Sequence, residues 1–163
     1  MNALTPKEVL ALLPQQKPMR FIDEILELDE EHILAAYTWK EDDCAGHFPG
    51  NPVVPGVKLI EMAAQVGNVA WGLYQMALKN SPEDINRMGG VFTGIEHGTF
   101  KKMVSPGDKV AAMATFNEGG YFRQNKMVSH VKIQFALGPK DGEEIFSGRT
   151  SSLWAPKDSE ALR

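Results

Sequence analysis

The stretch that decides the fold is residues 46–67, "GHFPGNPVVPGVKLIEMAAQVG". Its first eleven residues hold three prolines (49, 52 and 55) and three glycines (46, 50 and 56). That density precludes regular structure but allows one fixed, tight path. From Gly56 to about Lys79 the pattern turns helical. Val57, Ile60, Ala64, Gly67, Trp71, Tyr74 and Leu78 advance in steps of three and four, while Leu59, Ala63, Val66, Ala70, Leu73 and Ala77 fill a second face. A helix apolar on most sides is normally wrapped by other structure. One polar stripe remains: Lys58, Glu61, Gln65, Asn68, Gln75 and Lys79.

Upstream, Thr5-Pro6-Lys7-Glu8 reads as a helix start, with Thr5 as cap, Pro6 at the first helical position and Glu8 closing a capping box. That helix stops by Pro14. "RFIDEILELDEEHILAAYTWK" then gives two strand-like runs around the acidic turn Asp29-Glu30-Glu31, with Ile33, Ala35, Tyr37 and Trp39 on one face of the second. Downstream, "KNSPEDINRMGG" reads as an exposed linker. Period-two patterning returns at Val110, Ala112, Ala114 and Phe116, and again at Val131, Ile133 and Phe135. "EIFSGRTSSLWA" forms a last strand, and "SPGD" and "GPKDGE" are turns. The predicted order is short helix, two strands, long buried helix, then three or four strands. This is an α+β fold, an antiparallel β-sheet curled around one central helix.

The bulk composition narrows the function. The 163 residues are 43% hydrophobic and 23% charged, which predicts a single domain, 1–163. A net charge of −4 argues against nucleic acid as partner. The single cysteine, Cys44, fits a reducing compartment, and no Cys/His cluster points to a metal. The first residues lack the pattern of a signal peptide, and the apolar segment 53–78 is broken by polar residues, so no membrane span is expected. A cytoplasmic location follows as the default.

Three residues in the opening stretch carry chemistry. A loop histidine is most often a surface or packing residue. Here, however, a Pro/Gly backbone holds the imidazole of His47 in place, as a general base requires. Glu61 lies on the polar stripe between Lys58 and Gln65, where it fits a residue that simply faces water. On the inner surface of an enclosed helix it instead suits proton exchange. Gly56 opens the helix, where its N–H is an orphan donor that a carbonyl oxygen can approach closely.

These residues carry a resemblance. The stretch 46–67 is similar to the signature of the FabZ/FabA-type β-hydroxyacyl-acyl-carrier-protein dehydratases, which have the hot-dog fold. "LLPQQKPMRFIDEI" resembles the segment before their first strand, and "FTGIEHGTFKKMVSPGD" their strand and turn in the second half. The resemblance implies His47 and Glu61 as the catalytic pair, facing each other across a homodimer interface. It also implies the Gly56 N–H as holder of the thioester carbonyl, the Val53 carbonyl as orienter of the imidazole, and Gln65 as a supporting residue. The substrate would arrive on the phosphopantetheine arm of acyl carrier protein, with no metal or other cofactor, in fatty acid or related polyene or polyketide synthesis. Lys101, Lys102, Arg123 and Lys126 become candidates for meeting the acidic carrier, and the sequence leaves both a dimer and a trimer of dimers open.

Gln15-Gln16 stands where the family usually has His-Arg, and Lys58 where it has an apolar residue. The isomerising branch carries an aspartate in place of Glu61, which argues against isomerase activity. Two rival readings remain: a hot-dog acyl thioesterase, and a non-catalytic subunit that binds acyl carrier protein. Cys44, His32, His97 and His130 read as structural or surface residues.

Overall fold

A computed structural model describes residues 3–163. Helix α1 (Pro6–Leu12) opens with the expected capping box: the Glu8 N–H donates to Thr5 Oγ1 at 3.3 Å, and the Thr5 N–H to Glu8 Oε2 at 2.8 Å. Strands β1 (Glu24–Leu28) and β2 (His32–Thr38) flank the acidic turn as expected. The central helix begins at Gly56 as α2 (Gly56–Ala64), passes through a π-helical turn (Gln65–Ala70) and ends as α3 (Trp71–Ala77).

The segment expected to be a linker is not one. Residues 82–87 form α4 (Pro82–Arg87), because Ser81 accepts from the Asp84 N–H at 3.2 Å, Pro82 takes the first position, and Ile85 buries. Met88, Gly89 and Gly90 already belong to β3 (Met88–Phe100). Strands β4 (Lys109–Thr115), β5 (Tyr121–Arg123), β6 (Lys126–Phe135) and β7 (Glu144–Pro156) complete the chain's sheet. Five strands therefore follow the helix rather than three or four. The two that period-two patterning passes over are the glycine-rich edge strand β3 and the three-residue β5.

The sheet order is β1-β2-β4-β6-β7-β3, all antiparallel, with β5 paired to β6. Inward residues alternate as the pattern requires: Val110, Ala112, Ala114, Val131 and Ile133 are fully buried against the helix. The helix presses hardest at Gly67, where an added Cβ would stand 2.5 Å from Ser129 Oγ and 2.7 Å from Val131 Cγ2. Only glycine permits that approach. Trp71 is fully buried, stacks on Phe116 with ring centroids 4.0 Å apart, and donates its indole N–H to the Asp29 carbonyl at 2.9 Å. A curled sheet clasping one long helix is the hot-dog arrangement. Among the described residues no helix is long and apolar enough to cross a membrane.

The acidic turn carries a pH-sensitive cluster. His32 Nε2 lies 2.7 Å from Glu27 Oε2, and its Nδ1 lies 3.1 Å from Asp29 Oδ2. The Glu27 hydrogen bond raises the imidazole's pKa above its usual value of 6.5, against a lowering by burial and with help from Asp29. With the folded pKa above the unfolded one, the stabilisation is complete below the unfolded value and fades as pH rises through the folded one. His32→Gln is expected to cost about 0.2–1 kcal/mol at about pH 6, as usual for an exposed pair, and close to nothing by about pH 8.5. Urea unfolding at the two pH values reads the difference. An equal loss at both would mean that the ring acts by packing alone.

Candidate active site

The Pro/Gly loop is laced to itself by backbone bonds. The His47 N–H donates to the Cys44 carbonyl at 2.8 Å, the Val53 N–H to the His47 carbonyl at 2.8 Å, and the Asn51 N–H to the Phe48 carbonyl at 3.0 Å. The Val54 N–H ties the loop to the Val104 carbonyl at 2.8 Å. Gly46 (φ +81°) and Gly50 (φ +74°) have open space around a hypothetical Cβ. They are needed for their left-handed backbone, not for room. The His47–Phe48 peptide is cis.

His47 Nδ1 lies 2.9 Å from the Val53 carbonyl oxygen. A carbonyl only accepts, so Nδ1 carries the proton and Nε2 presents a free lone pair. The Phe48 ring stacks on the imidazole, centroids 4.1 Å apart. The half-buried His47 is thus held by its backbone, its Nδ1 and its ring face.

Gly56 begins α2, and its N–H has no hydrogen-bond partner among the described residues. The Phe100 ring lies against it, 3.1 Å from where a Cβ would stand, so a side chain at position 56 would have to displace that ring. Glu61 follows on the second turn, and its Oε1 accepts from Gln65 Nε2 at 2.8 Å. Gln65 is only 1% exposed, and its amide is fully engaged. Its Nε2 also donates to the Met19 carbonyl at 2.6 Å, and its Oε1 accepts from the Phe21 N–H at 2.8 Å. The polar stripe therefore does not simply face water. Gln65 and Asn68 are buried in it, and Lys58 turns away from Glu61 to donate to the Asp43 carbonyl at 2.7 Å.

Sequence patterning placed Tyr37 on the inner face of β2 but passed over its partner, Asp43. Buried Asp43 accepts at Oδ2 from the Tyr37 hydroxyl at 2.8 Å and from the Lys40 N–H at 2.9 Å. Burial, reinforced by that carboxylate, pushes the Tyr37 phenol well above its ordinary range. Burial and then the Asp43 charge push the Cys44 thiol up, which keeps it protonated and unreactive. Nothing in "EDDC" distinguishes Asp43 from its acidic neighbours before the chain is folded.

Within one chain no hydrogen bond or ion pair joins His47 to Glu61. Three cavities, of about 850, 190 and 470 Å³, include neither of these residues nor Gly56. The 850 Å³ cavity lies at the far end of the central helix, beside Lys79 and Arg123. Apolar surface instead surrounds the site: Phe48 is 56% exposed, Val57 73%, Phe100 49% and Met103 75%.

The four basic candidates fall in two places. Lys101 pairs with Glu144 at 2.8 Å and Lys102 with Glu143 at 3.5 Å, on the His47 side of the sheet. Arg123 and Lys126 face each other across the β5–β6 turn, where Lys126 registers with Leu153. The Lys101 N–H bonds Ile145, eight residues back along β7. At ~3.3 Å per residue the two pairs stand roughly 26 Å apart.

The curled sheet and its helix define the class first: a hot-dog protein with a histidine loop at the helix start. The model of ApeI-like proteins, described as ApeI dehydratase, matches residues 29–148. The chain is 33% identical over 147 residues to the 3-hydroxyacyl-[acyl-carrier-protein] dehydratase FabZ of Oenococcus oeni, covering 88% of this chain and 94% of that one. It is 35% identical over 147 residues to the FabZ of Bacillus velezensis, covering 83% and 99%. Among solved structures, a chain of the dehydratase heterocomplex ApeI:P from Xenorhabdus doucetiae superposes with a TM-score of 0.71 at 17% identity, covering 94% of this chain and 93% of that one. A thioesterase from Haemophilus influenzae superposes with a TM-score of 0.66 at 19% identity, covering 98% and 96%, a likeness of fold alone. The chain belongs to the family of FabZ and ApeI-like 3-hydroxyacyl dehydratases.

Proposed function

We propose that this protein dehydrates 3-hydroxyacyl thioesters carried on acyl carrier protein to the trans-2-enoyl thioesters, in fatty acid or polyketide-type synthesis. The observation that carries this reading is the His47 loop: Nδ1 is tied to the Val53 carbonyl, so Nε2 is left as a base, next to a helix whose first N–H is unpaired among the described residues.

His47 Nε2 takes the α-proton, and the Gly56 N–H receives the developing enolate oxygen. The Cα electron pair forms the double bond as the β-hydroxyl leaves, taking a proton from the Glu61 carboxyl to depart as water. His47 ends protonated and Glu61 ionised, and a proton passed back resets the site. Positioned proton transfer contributes about 10²–10⁴-fold at each group, and one oxyanion donor a similar amount. Gln65 holds the Glu61 carboxyl in place through the Phe21 and Met19 backbone.

Glu61 reaches His47 from a second copy of the chain. Three features support this: the pair is unconnected within one chain, the apolar rim around it is exposed, and β3 is a free edge strand. Lys101 and Lys102, on the His47 side, meet the acidic carrier. Arg123 and Lys126 reach it only if the partner copy brings their end of the sheet to the site.

Mass spectrometry of 3-hydroxyacyl-carrier protein incubated with the pure protein tests the reaction. Loss of one water, reversed from the enoyl form, is the expected result. Release of free acid would make the protein a thioesterase, and an unchanged substrate across several chain lengths would make it a binding subunit.

A further inference from the structure

We infer that Lys58 is a positioning residue that clamps the His47 loop to the first turn of α2; its kinetic consequence rests on the dehydratase reading above, its structural one does not. Glu61 lies at i+3 from Lys58, a spacing at which opposite charges usually pair. The ammonium forgoes it and donates to the Asp43 carbonyl at 2.7 Å, fifteen residues upstream.

The turn that it grips is rigid. Asp43 is buried, with its carboxylate taking the Tyr37 hydroxyl and the Lys40 N–H. Cys44 follows at 2% exposure, and its carbonyl receives the His47 N–H. The His47 carbonyl in turn receives the Val53 N–H, three residues before Gly56. The Lys58 bond thus closes a ring of chain, Asp43 to Lys58, that contains both His47 and Gly56. The other closures, the backbone bonds and the bond from His47 Nδ1 to the Val53 carbonyl, lie within the loop; among the described residues Lys58 is the side chain that joins its entry to the helix. Opening that joint frees the loop to shift relative to the Gly56 N–H, and a misplacement of about 1 Å at a reacting centre costs on the order of 10²-fold.

Lys58→Met keeps the stem and removes the donor, while Lys58→Arg keeps a donor. Two measurements are read together: amide exchange across residues 44–54, taken relative to α3, and steady-state dehydration. In Lys58→Met, exchange in the loop is expected to rise about tenfold and kcat to fall about ten- to hundredfold with KM within about twofold, both largely recovered in Lys58→Arg. Unchanged loop exchange in Lys58→Met overturns the clamp. Faster exchange with wild-type kcat overturns its catalytic consequence. If wild-type protein is inert toward every 3-hydroxyacyl thioester while Lys58→Met still loosens the loop, the clamp stands and the dehydratase reading fails instead.

Discussion

Co-refolding His47→Ala protein with Glu61→Gln protein is expected to restore dehydration to about a quarter of the wild-type rate, although each variant alone is impaired about 10²–10⁴-fold. Removing His47 removes the proposed base, whose Nε2 is left free by the Val53 carbonyl. Replacing Glu61, the proposed acid, leaves Gln65 holding an amide that cannot release a proton as a carboxyl does. If each site takes His47 from one protomer and Glu61 from the other, a mixed dimer gathers both defects in one site and leaves the second site intact. Random pairing makes about half the dimers mixed, each with one working site of two, which gives the quarter. A site contained within one chain would carry one defect in every copy, and mixing would restore nothing. Steady-state rates of the mixture against the two separate variants decide between these arrangements.

The second large effect concerns stability. Trp71→Ala is expected to destabilise the fold by about 3–5 kcal/mol, the usual cost of truncating a large buried aromatic. For a chain of this size that corresponds to a fall in Tm of roughly 10 °C. Trp71 is fully buried at the end of the π-helical turn, stacked on Phe116, and bonded to the Asp29 carbonyl. It joins the helix to the acidic β1–β2 turn and to the segment after β4 in one contact. Trp71→Phe keeps the stacking ring and loses the indole donor, and is expected to cost about 1 kcal/mol, the net worth of one hydrogen bond plus a small void. Thermal and urea unfolding measure both. A loss under about 1 kcal/mol for Trp71→Ala would mean that the helix is not the centre of the core.

Much of the architecture was legible because period and punctuation are local. Thr5 and Glu8 signal their cap within four residues, and Val110, Ala112 and Ala114 state a buried strand face by alternation alone. Edge strand β3 was less legible, since its glycines and largely exposed side chains carry no buried period. Ser81-Pro82-Glu83-Asp84 held a complete helix start that read as linker, because a six-residue helix, under two turns, gives too short a pattern to count.

Residue type and spacing alone set the frame of the proposed site: a Pro/Gly loop bearing His47, a helix opening at Gly56, and Glu61 on its second turn. Those depend on residue type and spacing along one short segment, so they survive without knowledge of the rest. Which polar side chains are enclosed, and what they bond, depends instead on how distant segments meet in the folded chain. Gln65 is buried because residues 19–21 fold over it from some 44 residues away and supply a carbonyl and an N–H. Lys58 chooses Asp43 over the nearer Glu61 because the loop brings that carbonyl within 2.7 Å. The two basic pairs are separated because Lys101 and Lys102 follow β3 beside Ile145, while Arg123 and Lys126 close the β5–β6 turn beside Leu153, at the other end of β7. A hydrogen bond requires its partner within about 3 Å, and for a buried group that partner comes from wherever the chain returns. Spacing in the sequence cannot supply that distance.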